Sequence, residues 1–248
     1  MSFRDYLSNK LYETPIAYDD ETDNLADVGA FHSETNTKWA KTPPVNATLE
    51  EVAEWVKQKE QNKEIEYMDL GKGISKMAKM NDGKTVFKWN FDVTEHGDQI
   101  AREVEVYKKY YNKFKNVLPK FYKIGKNWLI QEYVEPASVS NNYEISKFKQ
   151  ITGVEFFEFY GGYGLIKSLV FVKKDFYMEY GNGTFEEFIK YFTRNGDTRS
   201  SYKKLLENEN IRELLRFSYE TGISMGDFHG GNIGITKDNK IKVIDFGV

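Results

Sequence analysis

Residues 225–248 read MGDFHGGNIGITKDNKIKVIDFGV and crowd Asp227, His229, Asn232 and Asp245 into one short span. Asp227 and Asn232 stand five residues apart in Asp-Phe-His-Gly-Gly-Asn. That spacing lets one loop aim a carboxylate at a substrate hydroxyl while the amide oxygen reaches back toward a metal. A small hairpin then leads into KIKVI, and Asp245 follows that strand and precedes Phe246-Gly247. A carboxylate at a strand end, freed by a following glycine, is well placed to bind Mg2+ through oxygen.

Working outward, the chain has 248 residues, enough for one large domain or two lobes sharing a cleft. Hydrophobic residues make up 40%, which supports a buried core and excludes global disorder. The net charge of −3 argues against a partner that is nucleic acid or an anionic membrane. With no cysteine, disulfides, thiolate nucleophiles and Cys-ligated zinc are excluded. The first residues, MSFRDYLSNKLYETP, carry charges where a signal peptide needs an apolar run, and the expected location is cytoplasmic.

Residues 1–64 read as a polar arm ending in a capping helix, TLEEVAEWVKQKEQ, with Thr48 and Glu51 as a capping box and Leu49, Val52 and Val56 as an apolar stripe. Three short strands follow, IEYMDL, SKMAKM and TVFKWNF, the last two joined by the turn signal Asn81-Asp82-Gly83. Then come a helix, DQIAREVEVYKKYYNKF, and two more strands, KFYKIG and WLIQEYV. After Pro136 the pattern is mostly helical, with FEEFIKYF and IRELLRFSYETG the clearest segments and Gly222 ending the second. The aromatic-dense stretch 155–180 reads as hydrophobic core.

Phosphoryl transfer from a nucleotide needs a cradle for the phosphates, a cation on them, oxygen ligands for a divalent metal and a carboxylate near the attacking hydroxyl. Each has a candidate. In TVFKWNF, Lys88 shares a strand face with Val86 while Phe87 and Trp89 take the other. A lysine among hydrophobics in a central strand is costly unless paired, although an edge strand would tolerate it. In the helix, Ile100, Glu103 and Tyr107 share a face, and Glu105 lies roughly 200° away from Glu103. Glu103 therefore faces inward and is the expected partner of Lys88, with Glu105 in solvent.

DFHGGN followed by IDFG resembles the catalytic loop and metal-binding Asp-Phe-Gly of the protein kinase-like superfamily. The histidine two residues after the aspartate is similar to aminoglycoside phosphotransferases and atypical microbial kinases. The resemblance implies an α+β, two-lobed protein kinase-like fold. It has an antiparallel five-stranded small lobe with one helix (65–134), then a hinge and an abbreviated, mostly helical large lobe (135–248). It implies ATP and Mg2+ as cofactors, with Asp227, Lys88 and Glu103 catalytic and Asn232 and Asp245 on the metal. Gln131 takes the place of the gatekeeper, and the Glu132 carbonyl and Val134 amide would read the adenine edge. Gly71 and Gly73 would admit the phosphates, although Lys76 stands where the third glycine of that loop belongs and a lone Gly-x-Gly also occurs in ordinary turns.

The pattern departs from relatives at Met225, where a histidine is usual, and it ends directly after Asp-Phe-Gly. Either the sequence is a piece of a longer chain, or the N-terminal arm and the 137–207 insertion cover the large lobe, as the resemblance to compact kinases of bacteria and bacteriophages implies. The implied activity is transfer of the γ-phosphoryl group to a hydroxyl on a protein or small molecule. A pseudokinase-like scaffold and AMP transfer are the competing readings. NDGKT ends like a Walker A loop, but the first glycine is Ala78 and a strand follows. His32 and His96 read as surface residues, and His229 as a brace for its loop.

Overall fold

The computed structural model describes residues 42–68, 75–91, 98–137, 142–196 and 199–246, with side chains in the helix beginning at Asn142 described from residue 147 onward. All fall within one compact unit. Gly71, Gly73, His32, His96 and nearly all of the polar arm lie outside these residues.

Five antiparallel strands form the first sheet: β1 (Ile65–Met68), β2 (Ser75–Met80), β3 (Thr85–Asn90), β4 (Phe121–Ile124) and β5 (Trp128–Glu132). Their order is β1-β2-β3-β5-β4, which puts β3 at the centre. Asp82 shapes the β2–β3 turn by accepting from the Lys84 and Thr85 amides at 2.8 and 2.9 Å, so NDGKT is a hairpin turn and not a phosphate loop.

The two faces of this sheet differ. One carries Ala78, Phe87, Trp89, Trp128 and Ile130, and helix α1 (Leu49–Gln61) closes it with Val52 and Val56. Thr48 and Glu51 start α1 as a reciprocal capping box. Phe87 stacks on Trp128 at 5.6 Å and meets Trp55 of α1 at 4.5 Å. The other face carries Met77, Val86, Lys88, Leu129 and Gln131, as the register pairs Lys88 with Met77 and Leu129 and Val86 with Gln131.

Helix α2 (Gln99–Phe114) packs on that second face through Ile100, Glu103 and Tyr107, while Glu105 is exposed. Asp98 caps it, accepting from the Ala101 amide at 2.9 Å. Further along, Tyr107 stacks flat on Phe121 at 4.0 Å and accepts the Phe121 amide. The C-terminal end of α2 leans on the helical region, with Phe114 edge-on to Phe217 at 5.4 Å and Lys113 paired to Glu220.

The chain leaves β5 and enters β6 (Glu135–Pro136), which pairs with β7 (Ile233–Ile235), which pairs with β8 (Ile241–Val243). The segment after β5 is thereby hydrogen-bonded to β7, and through it to β8, the strands that flank residues 225–232 and 245. Gly234 makes this possible: a Cβ there would lie 2.3 Å from the Glu135 carbonyl oxygen.

Between β6 and β7 run α3 (Asn142–Thr152), α4 (Phe156–Tyr160), α5 (Leu165–Tyr180), α6 (Phe185–Asn195), α7 (Ser200–Glu207) and α8 (Glu209–Thr221). Thr184 and Glu187 form the capping box of α6, and Gly222 ends α8 at φ 78° in the left-handed region that favours glycine. Glu186 on α6 receives both Arg212 and Arg216 of α8. The stretch 155–180 divides rather than forming core throughout. Phe156, Phe159, Leu165, Ile166, Leu169, Val172 and Phe176 are buried, while Phe157, Tyr163, Phe171 and Met178 are exposed. One side of α5 cannot bury an apolar residue at nearly every position. Among the described residues no helix is long and apolar enough to cross a membrane.

The five-stranded antiparallel sheet, the helix packed on its second face and the helical region that follows are those that the resemblance in the sequence implied.

Candidate active site

β3 is buried along its whole length, and Lys88 has no exposed surface. An ammonium there requires partners. Glu103, also fully buried, ion-pairs with it, and Asp245 Oδ1 lies 3.1 Å from Lys88 Nζ. The third strand, the helix and the chain's last described hairpin thus meet at one cation. Burial by itself would lower the Lys88 pKa, but the Asp245 and Glu103 charges outweigh it and hold the amine above its ordinary value. Glu103 is pushed up to about 8, by burial first and by the neighbouring Asp245 charge, against the pull of Lys88. Two carboxylates share one cation, so the cluster holds protons tightly.

Gln99, one helical turn before Glu103 and nearly buried, also donates to Asp245 Oδ1, and at 3.3 Å to Glu103 Oε1. The sequence reading missed this residue. Its signal was only its spacing: i, i+4 from Glu103 on the same face.

Asp227 lies in a short 3₁₀ turn, Met225–Asp227, entered after α8 ends at Gly222. Its Oδ2 is buried and makes no hydrogen bond in the described protein. Burial raises its pKa, His229 opposes that, and the Asp245 charge adds to it, so the two aspartates sense each other electrostatically. His229 Nδ1 accepts from the Gly231 amide at 3.1 Å, and the His229 carbonyl accepts from the Asn232 and Ile233 amides at 2.9 and 3.1 Å. His229 therefore braces the loop. Tyr160 of α4 is a second brace that the sequence did not reveal. Its hydroxyl donates to the Gly226 carbonyl at 2.8 Å, and its ring sits edge-on to His229 at 6.2 Å. Nothing local marks it, because it arrives from a distant helix. Met225 is buried.

Asn232 is tied to Asp245 through the backbone: its carbonyl accepts from the Ile244 amide at 2.7 Å and the Asp245 amide at 3.5 Å. The loop and the strand end are thus hydrogen-bonded to each other. The donor set, one carboxylate and one amide oxygen, is the hard-oxygen type that suits Mg2+ completed by water and phosphate. Among the described residues no group of three or more His, Asp or Glu side chains could hold a metal ion by itself. A cation here would rely on nucleotide oxygens, as Mg2+ commonly does.

Near the end of β5, Gln131 is fully buried and donates to the Ile244 carbonyl at 3.3 Å, linking the strand to the residue before Asp245. Glu132 accepts from Lys242 of β8 at 2.6 Å and from the Lys120 amide at 3.1 Å. Val134 packs with Met77, Val86 and Ile244, with Met68 and Tyr133 alongside. These side chains form one buried apolar cluster, in which Met77 is the cross-strand neighbour of Lys88 and Ile244 precedes Asp245.

No family model and no curated protein matches the chain. Solved structures with some likeness are aminoglycoside phosphotransferases at 16% identity. A streptomycin–ATP ternary complex of APH(2")-IIa covers 79% of this chain and 70% of its own, with a TM-score of 0.35. A gentamicin–APH(2")-IIa complex covers 82% and 71%, with a TM-score of 0.36. ADP-bound APH(2'')-Ib covers 78% and 69%, with a TM-score of 0.34.

Proposed function

We propose that the protein is an ATP- and Mg2+-dependent phosphotransferase acting on a hydroxyl acceptor. The observation that carries this reading is the meeting of buried Lys88 and Glu103 with the partly exposed Asp245, with Asp227 in the loop joined to Asp245 by the backbone. A merely structural core would not gather two carboxylates and an amide around a lysine, because apolar residues of equal volume are as stable or more so.

In this reading Val134, Met77, Val86 and Ile244 receive the adenine, while the Glu132 carbonyl and Val134 amide read its edge. Gly71 and Gly73 admit the phosphates. Lys88, held by Glu103, would meet the α- and β-phosphates, and Asp245 would be available to hold a metal. Asn232 and Asp245 would hold Mg2+, which when bound supplies charge neutralisation on the phosphate oxygens. Asp227 orients the acceptor hydroxyl through its unpartnered oxygen. The hydroxyl oxygen forms a bond to the γ-phosphorus, the bond to the bridging oxygen breaks, ADP leaves with that electron pair, and the acceptor proton passes to Asp227. The burial that raises the Asp227 pKa makes it a better proton acceptor than an exposed aspartate.

Acceptor identity follows from what reaches Asp227. The His229-containing loop favours a small molecule by its resemblance, and a protein hydroxyl fits the same chemistry. The test is incubation with radiolabelled ATP, alone and with cell lysate, for wild type and Asp227→Asn. The expected outcome is labelled product from wild type only, with nucleotide affinity preserved in the variant. Equal labelling by both would remove Asp227 from its role.

One observation favours a non-catalytic scaffold instead: Lys88 is fully buried and its charge is already satisfied within the protein. A thermal shift with Mg-ATP separates the two. A scaffold of that kind gives no shift at millimolar nucleotide, whereas the phosphotransferase is stabilised by mass action.

A further inference from the structure

Helix α2 delivers a second side chain to the metal-capable carboxylate. Asp245 Oδ1 accepts from Lys88 Nζ and from Gln99 Nε2, and the same Gln99 nitrogen reaches Glu103 Oε1 at 3.3 Å. Gln99 is only 5% exposed, so this amide has little solvent to turn to.

The backbone under Gln99 is itself fixed from β3. Asn90, two residues after Lys88, donates through Nδ2 to Asp98 Oδ1 at 2.7 Å and accepts the Ile100 amide at 3.2 Å. Asp98 in turn caps the helix on the Ala101 amide. One strand therefore places both the lysine and the helix start that faces it.

A glutamine suits this position chemically. A lysine would compete with a metal for Asp245, and a third carboxylate would add to two that already share one cation. A neutral amide donates without altering the charge. A carboxylate offers about four lone-pair sites, so two donors on one oxygen fix its rotation without exhausting its capacity.

We propose that Gln99 is a positioning residue that orients the Asp245 carboxylate for a divalent cation, with Asn90 and Asp98 holding the helix start that carries it. The proposal rests on the phosphotransferase reading above. Hydrogen-bond partners of metal-ligating carboxylates set ligand orientation, and their loss typically costs roughly 10–100-fold in metal affinity.

The test is Mn2+ binding to the full chain, followed by electron paramagnetic resonance in the presence of a non-hydrolysable ATP analogue. Wild type is compared with Gln99→Met, which keeps volume but donates nothing, and with Gln99→Asn, which withdraws the amide by one methylene. The expected result is an Mn2+ dissociation constant raised roughly tenfold in both, with affinity for the analogue in EDTA unchanged. If Gln99→Met fails to fold, Gln99→Asn decides. Variants that take up Mn2+ as wild type does, or more tightly, overturn the proposal and leave the phosphotransferase reading intact. A wild type that takes up no Mn2+ with the analogue ends both.

Discussion

The two faces of the five-stranded sheet are built on opposite terms. The face under α1 is aromatic and dry, with Phe87, Trp89 and Trp128 against Val52, Val56 and Trp55. The face toward α2 buries Lys88, Gln131, Glu103 and Gln99 beside Asp245. Both faces bury their central strand residues, yet one holds its place by apolar burial and the other by satisfying charges. Burying ions contributes little to stability relative to apolar packing. The contrast separates what the fold needs from what the chemistry needs, since perturbed ionisable groups gather where function is.

The largest effect that could break this contrast is at Lys88. Lys88→Met leaves Glu103 and Asp245 without their cation, and breaking such a pair costs about 3–5 kcal/mol. Phosphoryl transfer should fall below detection. Adding Glu103→Leu should recover most of the stability and none of the turnover, as read by denaturant unfolding and labelled ATP. A double variant that stays as unstable as the single one would make the cluster structural.

Phe87→Ala probes the dry face. It should cost about 3–5 kcal/mol of stability while the folded fraction keeps its nucleotide affinity. Asn90→Ala should cost about 1–2 kcal/mol, because it releases the start of α2, and it should also weaken metal-dependent nucleotide binding. An Asn90 variant less stable but unchanged in binding would detach the helix start from the site.

The smallest effect is a pH slope. Glu103 in the folded chain titrates at about 8, above the ordinary carboxylate value it has when unfolded. The folded state therefore holds a proton that the unfolded state has released. The stability from this group is complete below the unfolded pKa and is lost as pH rises toward 8. Glu103→Gln should flatten the melting temperature across about pH 5–8, in the absence of metal and nucleotide.

Local chemistry made much of this legible. Alternation in TVFKWNF put Lys88 opposite Phe87 and Trp89, and helical spacing chose Glu103 over Glu105, which is exposed. The Thr48 and Glu51 capping box marked α1, but nothing in that segment said which sheet face it would cover. Covering is a long-range choice, settled by Phe87 and Trp128 meeting Trp55. Tyr160 and Gln99 were hidden for different reasons. Tyr160 reaches the catalytic loop from a helix far upstream, and a glutamine at a helix start carries no motif. The aromatic stretch 155–180 looked uniform because composition does not say which side of a helix faces outward.

The central claim is that the Lys88 cluster is a nucleotide–metal site. Calorimetric titration of an ATP analogue into wild type and Asp245→Asn, each with Mg2+ and with EDTA, tests it most directly. The account predicts that Mg2+ tightens binding to wild type and that Asp245→Asn loses this dependence while still binding the analogue weakly in EDTA. Mg2+-enhanced binding that survives Asp245→Asn, or no binding to wild type under either condition, would contradict it.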